Sequence, residues 1–489
     1  MKELEILLLV LYGLCLLFIL GFSLTQFHLT RLARRAFRQP APALPPAPAQ
    51  WPRVTVQLPL YNEVFVVERI ITAAAGLDYP LDRLHIQVLD DSTDETVALA
   101  AAAVARFRAR GLGIDHVRRP GREGYKAGAL AYGLTQTQGE FIAIFDADFV
   151  PEPDFLRRTV PHFTRPEIGV VQTRWTHLNE NDSLLTQLQA FGLNAHFLIE
   201  QVGRNLGGHF INFNGTGGVW RRQCIEDAGG WHADTLTEDL DLSYRAQLRH
   251  WQFVYLPRVQ APAELPAALD ALKSQQYRWT KGAAETARKH LAAVLRSGHK
   301  PSTKLHAAFH LLNSTVFVAI LLMALLSVPL VLIREFVPEF KPVFRLASVC
   351  ILGFVPLIYY FYTAWRLDHP DTAWWRFGPR FGLFLAVSMG LSLHNSRAVL
   401  AGLGRQPTAF IRTPKSGSGP QQGGPSGRYR TRSFSALTVL EGMLTLYFVL
   451  GLGLGIYFGN YGLLPFHTLL ALGFGLVFYY SVRHNRAAL

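Results

Sequence analysis

Residues 141–149 read FIAIFDADF. Phe141 to Phe145 are five apolar residues in a row, enough for one buried strand, and the run then breaks into Asp146-Ala147-Asp148. In an open α/β sheet, ligands bind outside the carboxyl ends of the parallel strands. Two carboxylates at such an end make a hard-oxygen site suited to Mg²⁺ or Mn²⁺ carrying substrate phosphates. Aspartate is also a common turn former after a strand, so the pair gains meaning only from its company.

Working outward, Val54–Leu58, Leu84–Leu89 and Gly169–Trp175 read as further strands, and Thr96–Arg110 and Lys126–Leu134 as helices between them. This alternation, from Trp51 to about His299, predicts a mostly parallel α/β sheet. On both sides of it the chain turns apolar. Ile6–Leu24 is long enough to cross hydrocarbon. A signal peptide fits it poorly, because Glu3 and Glu5 flank Lys2 and the apolar core is too long. Val316–Ile333, Leu346–Trp365, Phe434–Phe458 and Leu463–Val482 are further candidate spans. Pro40–Pro48 reads as an extended Pro/Ala tether.

Charge orients these pieces. Arg31, Arg34 and Arg35 follow the first span, and Gly404–Ser433 carries Arg405, Arg412, Lys415, Arg428, Arg430 and Arg432 with no acid. Both segments belong in the cytoplasm by the positive-inside rule. That holds only if Phe381–Gly402, whose second half contains Ser392, His394, Asn395 and Arg397, does not cross. It is therefore expected to lie along the interface as an amphipathic helix. The prediction is five spans in the plasma or inner membrane. The amino terminus is outside, while the α/β domain, Arg483 and Arg486 are inside. The segments are 1–30 (first span), 31–50 (linker), 51–300 (α/β domain with an interfacial helix), 301–370 (two spans), 371–433 (interface helix and cytosolic loop) and 434–489 (two spans).

The net charge of +13 in 489 residues fits membrane orientation. The basic residues form no single stripe interleaved with aromatics, so no nucleic-acid partner is expected. Cys15, Cys224 and Cys350 lack paired spacing, which argues against a disulfide framework or a zinc site.

Several stretches can converge on Asp146 and Asp148. Leu58-Pro59-Leu60-Tyr61-Asn62-Glu63 follows the first strand and Asp90-Asp91-Ser92-Thr93-Asp94 the second. Their carboxylates are acceptors for the N–H and O–H groups of a base and ribose. Lys126 opens a helix, where a cation and free N–H groups suit a phosphate. In Thr237-Glu238-Asp239, Thr237 reads as a helix cap with acids in the first turn. Functionally, Asp239 can take the proton of a sugar hydroxyl that attacks an anomeric carbon. A helix amino terminus is expected to lower its pKa and weaken it as a base. Gln275, Arg278 and Trp279 share a helix face. The Arg suits a leaving diphosphate, and the Trp offers a plate for a sugar ring. Such a helix also fits the membrane surface. Glu441 lies inside an apolar span, either as a functional acid or as the partner of a polar neighbour.

In order, Asp90-Asp91, Asp146-x-Asp148, Thr237-Glu238-Asp239 and Gln275-x-x-Arg278-Trp279 resemble the signature of the processive, membrane-integrated family 2 inverting glycosyltransferases, the cellulose synthase superfamily. The text around Gln87–Asp94, Phe145–Phe149 and Phe213–Thr216 is closest to the cellulose-synthase-like mannan and glucan synthases of the A and C types. The resemblance covers about residues 51–300 well and the membrane part more loosely. It implies a GT-A (Rossmann-like mixed sheet) cytosolic domain beside an α-helical transmembrane domain. The implied activity is polymerisation of a β-linked mannan, glucomannan or glucan, secreted across the membrane, from GDP-mannose or UDP-glucose. No residue separates those two donors.

The resemblance also implies roles. Asp239, with Glu238 beside it and Arg278, would be catalytic. Tyr61, Glu63, Asp90, Asp91, Lys126, Asp146, Gln275 and Arg278 would hold the donor. Asp146 and Asp148 would hold the metal. Phe213, Asn214, Gly215, Thr216 and Trp279 would hold the growing glycan. Phe410–Lys415 resembles the family's gating loop, with Thr413 and Lys415 on the donor, although Pro414 fills a variable position and would stiffen it. No zinc module or regulatory domain is read in the chain, so control by cyclic-di-GMP within it is not expected. The competing readings are single transfer to a ceramide or diacylglycerol lipid, and a non-catalytic glycan export scaffold.

Overall fold

The structure, a computed structural model, describes residues 2–40, 42–406 and 436–486. Its centre is a seven-stranded sheet: β1 (Val54–Leu60), β2 (Leu84–Asp90), β3 (Ile114–Val117), β4 (Phe141–Ile144), β5 (Ile168–His177), β6 (Gly218–Arg221) and β7 (Gln252–Ala263). The order is β3-β2-β1-β4-β6-β5-β7. β6 runs antiparallel to both neighbours and every other pairing is parallel. The sheet is thus mixed, with a parallel half around β1.

The four strands expected from the sequence are present, and the two expected helices appear as Thr96–Arg108 and Tyr125–Thr135. Central strands buried on both faces read as continuous apolar runs; Val56, Leu58, Ile86 and Ile142 have no exposed surface. β3, β6 and β7 were not anticipated. β3 and β6 have four residues each. β7 carries Pro257 and Pro262, which interrupt its pattern and are tolerated because it is an edge strand. In register, Leu60 sits opposite Asp90 and Gln57 opposite Ile144. The carboxyl ends of β1, β2 and β4 therefore open on one side.

By length and composition, four helices among the described residues can cross a membrane: Lys2–Arg38, Asn313–Phe336, Ala436–Tyr457 and Tyr461–Arg483. They contain four of the five expected spans, apart from Phe458, which lies just past the end of its helix, and residues 434 and 435, which lie outside the described residues. Leu346–Trp365 is not one helix. A 3-10 turn, Val349–Gly353, separates Lys341–Ser348 from Phe354–Asp368, whose 15 residues reach only about 22 Å at 1.5 Å each. Phe381–Gly402 is not one helix either. Trp374–Gly390 and Ser392–Leu403 meet at 48°, and together they are apolar enough for a fifth crossing.

The first helix does not stop at residue 30 but continues to Arg38. Tertiary packing extends it: Leu29 and Ala33 are buried, and Arg34 Nη1 donates to the Tyr359 hydroxyl at 2.8 Å. Gly203 lies so close that an added Cβ would come within 2.5 Å of the Leu29 carbonyl oxygen. The first helix and the α/β domain pack directly on each other there, although irregular chain separates Arg38 from β1.

Candidate active site

A cleft of about 1300 Å³, open to solvent, lies at the carboxyl ends of β1, β2 and β4. Tyr61, Glu63, Asp91, Lys126, Asp146, Asp148, Asn214, Glu238, Asp239, Gln275, Arg278 and Trp279 line it. Stretches more than two hundred residues apart in sequence are thus brought to one place. Asp90, Phe213, Gly215 and Thr216 do not line it. Thr413 and Lys415 lie outside the described residues.

Lys126 is the hub. Its Nζ is 2.6 Å from Asp146 Oδ1 and 3.8 Å from Glu238 Oε1, and it donates to the Gly215 carbonyl at 2.9 Å. Burial alone would lower its pKa. Asp146, Glu238 and Asp239 outweigh burial and raise it, so the ammonium stays charged. Gly215 closes the arrangement. Its φ is +78°, and an added Cβ would sit 3.0 Å from Asp239 Oδ2, so both conformation and space demand glycine here.

Asp239 is the second residue of the helix Glu238–Leu248, and its Oδ1 accepts from the Leu240 N–H at 2.8 Å. The expectation that the helix terminus lowers its pKa is overturned. Burial, and then the charge of Glu238, push Asp239 up to about 7. Desolvation of the carboxylate outweighs the helix amides, so the group is a stronger base than a free aspartate. Burial also raises Glu238.

The tandem acids after β2 have different tasks. Asp90 is buried; its Oδ1 accepts from the Ser92 N–H and its Oδ2 lies 2.8 Å from His116 Nε2. Burial alone would raise its pKa, and the bonds from His116 and Ser92 hold it below the ordinary value. It fixes the turn and faces away from the cleft. Asp91 reaches the cleft but is gripped by both arms of Arg119, at 2.8 and 2.6 Å. The Phe213–Thr216 segment divides similarly. Phe213 packs edge-on to Trp220 in the core, and Thr216 Oγ1 accepts from the Asp146 N–H at 2.9 Å, leaving Asn214 to face the cleft.

Arg278 is almost wholly buried, which lowers its pKa, while Asp146, Glu238, Asp148 and Glu63 draw it up. It points a delocalised cation at the carboxylate cluster. Trp279 lies 6.5 Å between ring centroids from Trp175, which in turn stands edge-on to Phe149 at 5.3 Å. Sequence reasoning missed Trp175, although it ends an expected strand. It also missed Arg122, whose guanidinium lies 3.3 Å from the centre of the Tyr61 ring, and Glu264, which Arg69 holds. Finding Glu264 requires β7.

Among the described residues, the three-ligand clusters that could hold an ion lie elsewhere, at His28/His209/His306, Glu180/Asp368/His369 and His232/Asp234/Asp241. The Asp146/Asp148 pair supplies two hard-oxygen ligands. A Mg²⁺ or Mn²⁺ ion bound mainly by substrate phosphates and water needs no more from the protein. Asp146 already faces a cation in Lys126.

Comparisons with known proteins agree with this geometry. Residues 52–282 match the family described as glycosyltransferase-like family 2. Probable glucomannan 4-beta-mannosyltransferase 3 of Oryza sativa subsp. japonica is 46% identical over 273 residues, covering 55% of this chain and 49% of the relative. Glucomannan 4-beta-mannosyltransferase 2 of Arabidopsis thaliana is 45% identical over 254 residues, covering 51% and 48%. The chain thus spans about half the length of the curated relatives it matches. The mannosyltransferase PcManGT from Pyrobaculum calidifontis, solved with GDP-Man and Mn²⁺, superposes with a TM-score of 0.57 at 20% identity, over 82% of this chain and all of its own. That likeness establishes the GT-A-like fold. Residues 52–282 thus match a glycosyltransferase-like family 2 domain, and this part of the chain is similar to the glucomannan 4-beta-mannosyltransferases.

Proposed function

We propose that the chain is an inverting, processive hexosyltransferase that builds a β-1,4-linked mannan or glucomannan from GDP-mannose and passes it through the membrane. The observation that carries this is the junction at Lys126, where the Asp146 end of β4 meets the Glu238-Asp239 helix beside Trp279. The names of the relatives favour mannose over glucose.

Each residue has a task in this reading. Tyr61, Glu63 and Asp91 border the nucleotide, with Asp90 fixing their turn. Lys126, Arg278 and Gln275 face the diphosphate. Asp146 and Asp148 would hold Mg²⁺ or Mn²⁺, which neutralises phosphate charge when bound. Asp239 removes the proton from the terminal hydroxyl of the growing glycan. That oxygen forms a bond to the anomeric carbon from the face opposite the diphosphate, and the bond to the diphosphate oxygen breaks with its electron pair. The α-linked donor becomes a β-linked product and GDP leaves. Arg278 stabilises the charge that builds on the departing oxygen. Trp279 and Trp175 support the acceptor sugars, and Asn214 borders them. Thr413 and Lys415 would close over the donor by resemblance alone. The α/β domain faces the cytoplasm, and the amino terminus lies outside.

The test is a donor screen on membranes containing the full chain, with GDP-mannose and UDP-glucose supplied separately and together. Release of GDP with a ladder of β-1,4-linked product is the expected result. A single glycolipid product overturns the polymer, and absence of nucleotide release with either donor overturns the transferase.

A further inference from the structure

The helix Leu269–Arg296 presents Gln275, Arg278 and Trp279 to the cleft. Its opposite face carries Lys273. At about 100° per residue, the three site residues lie roughly 140–240° around the axis from Lys273. Lys273 Nζ is 2.7 Å from Glu441 Oε1 and donates to Ser481 Oγ at 2.9 Å. Ser481 Oγ lies 3.3 Å from Glu441 Oε2. Glu441 has no exposed surface, and Ser481 is buried. Glu441 belongs to the helix Ala436–Tyr457 and Ser481 to the helix Leu464–Arg486, both apolar enough to cross a membrane. The Lys273 carbonyl accepts from His394 Nε2 at 2.9 Å, and one turn along the helix Tyr277 stands edge-on to the His394 ring at 5.8 Å. Leu269, Leu272, Leu391 and Val477 seal the surroundings.

Resting on the transferase reading, we propose that Lys273, Glu441 and Ser481 are positioning residues. They set the rotation and axial register of the site helix against the last two membrane helices, and so place Arg278 and Trp279. A sequestered ion pair is a poor source of net stability, because desolvation offsets its attraction. It is a good source of register, because an apolar contact tolerates sliding and a charge pair between two helices does not. One residue of slip moves the ammonium about 1.5 Å along the axis and about 100° around it. That separates it from both oxygens and turns Trp279 out of the cleft.

The test uses the full chain in membranes, with GDP-mannose as donor and a manno-oligosaccharide as acceptor, and rates are normalised to the amount of folded protein. Lys273→Met with Glu441→Leu removes both charges while keeping apolar volume. The expected result is kcat about tenfold lower and acceptor KM about tenfold higher. The charge exchange, Lys273→Glu with Glu441→Lys, recovers at least half of that loss. Glu441→Asp, which retains the charge but shortens its reach, falls between the native chain and the double variant and serves where that variant does not fold. Wild-type kcat and acceptor KM per folded molecule in the uncharged double variant overturn the proposal, as does an exchange variant or Glu441→Asp no better than it. A native chain that releases no nucleotide overturns the transferase reading instead.

Discussion

The two sides of the cleft are built by different physics. The side assigned to the donor stands on the ends of β1, β2 and β4, and its groups are charged and locked to one another: Asp90 to His116, Asp91 to Arg119, Lys126 to Asp146. The side assigned to the acceptor is largely aromatic, with Trp175, Phe149 and Trp279. Trp175 stands on β5 and Phe149 just past β4, while Trp279 rides the helix Leu269–Arg296, which packs against the last two apolar helices through Lys273. The first side is a product of the sheet; the second depends on how the α/β domain and the membrane helices fit together. Chemistry and nucleotide binding should follow the first, and acceptor use and processivity the second.

The largest test of that division is Asp239→Asn. Transfer should fall about 10³-fold, within the range for losing a general base, while nucleotide affinity, measured by competition, stays near the native value. Near-normal turnover would remove Asp239 from the role and merge the two sides. Lys126→Met should cost about 10²-fold in turnover, as for loss of a charge-stabilising donor, and should weaken donor more than acceptor. Equal weakening would mean that Lys126 serves both sides. Trp279→Ala should lower acceptor-dependent transfer about tenfold, roughly the loss of one aromatic contact, with donor hydrolysis retained; parallel loss of both would argue against stacking. The pH profile is gentler. The base works deprotonated and Asp239 is held near 7, so kcat/KM should be flat above that pH and fall about tenfold per unit below it. An acid limb near 4 would show that Asp239 is not desolvated in the working enzyme. The smallest effect is expected from Gly203→Val at the Leu29 contact, which should cost about 1–3 kcal/mol of stability by overpacking. Thermal unfolding would read this, with kinetics at the strand ends little changed.

The same division explains what the sequence made legible. The strand-end acids were readable because strand and motif are adjacent in the chain, as in FIAIFDADF, and the sheet needs only local patterning to expose them. The tasks of those acids were less readable. Asp90 and Asp91 look alike in sequence, and only His116 and Arg119, from the segment beyond β2, separate them. The Asp239 shift was missed because a helix terminus is visible in sequence while desolvation is a property of the assembled cleft. Trp175, Glu264 and the partner of Glu441 depend on contacts between segments distant in the chain. β7, with its two prolines, hid the edge that carries Glu264. The first helix was cut short at residue 30 because composition changes there, whereas packing on Gly203 carries it on to Arg38.

That last feature has a mechanical meaning. A rod of 37 residues, about 55 Å long, has no joint where the lipid ends. Bilayers of different thickness are met by tilting such rods, and here the tilt is delivered to the helix Gln201–Leu206 of the α/β domain, against which Leu29 packs. Under the proposed function, elongation speed should therefore vary with lipid chain length even when donor and acceptor are saturating, so that the transferase would gauge the membrane that houses it.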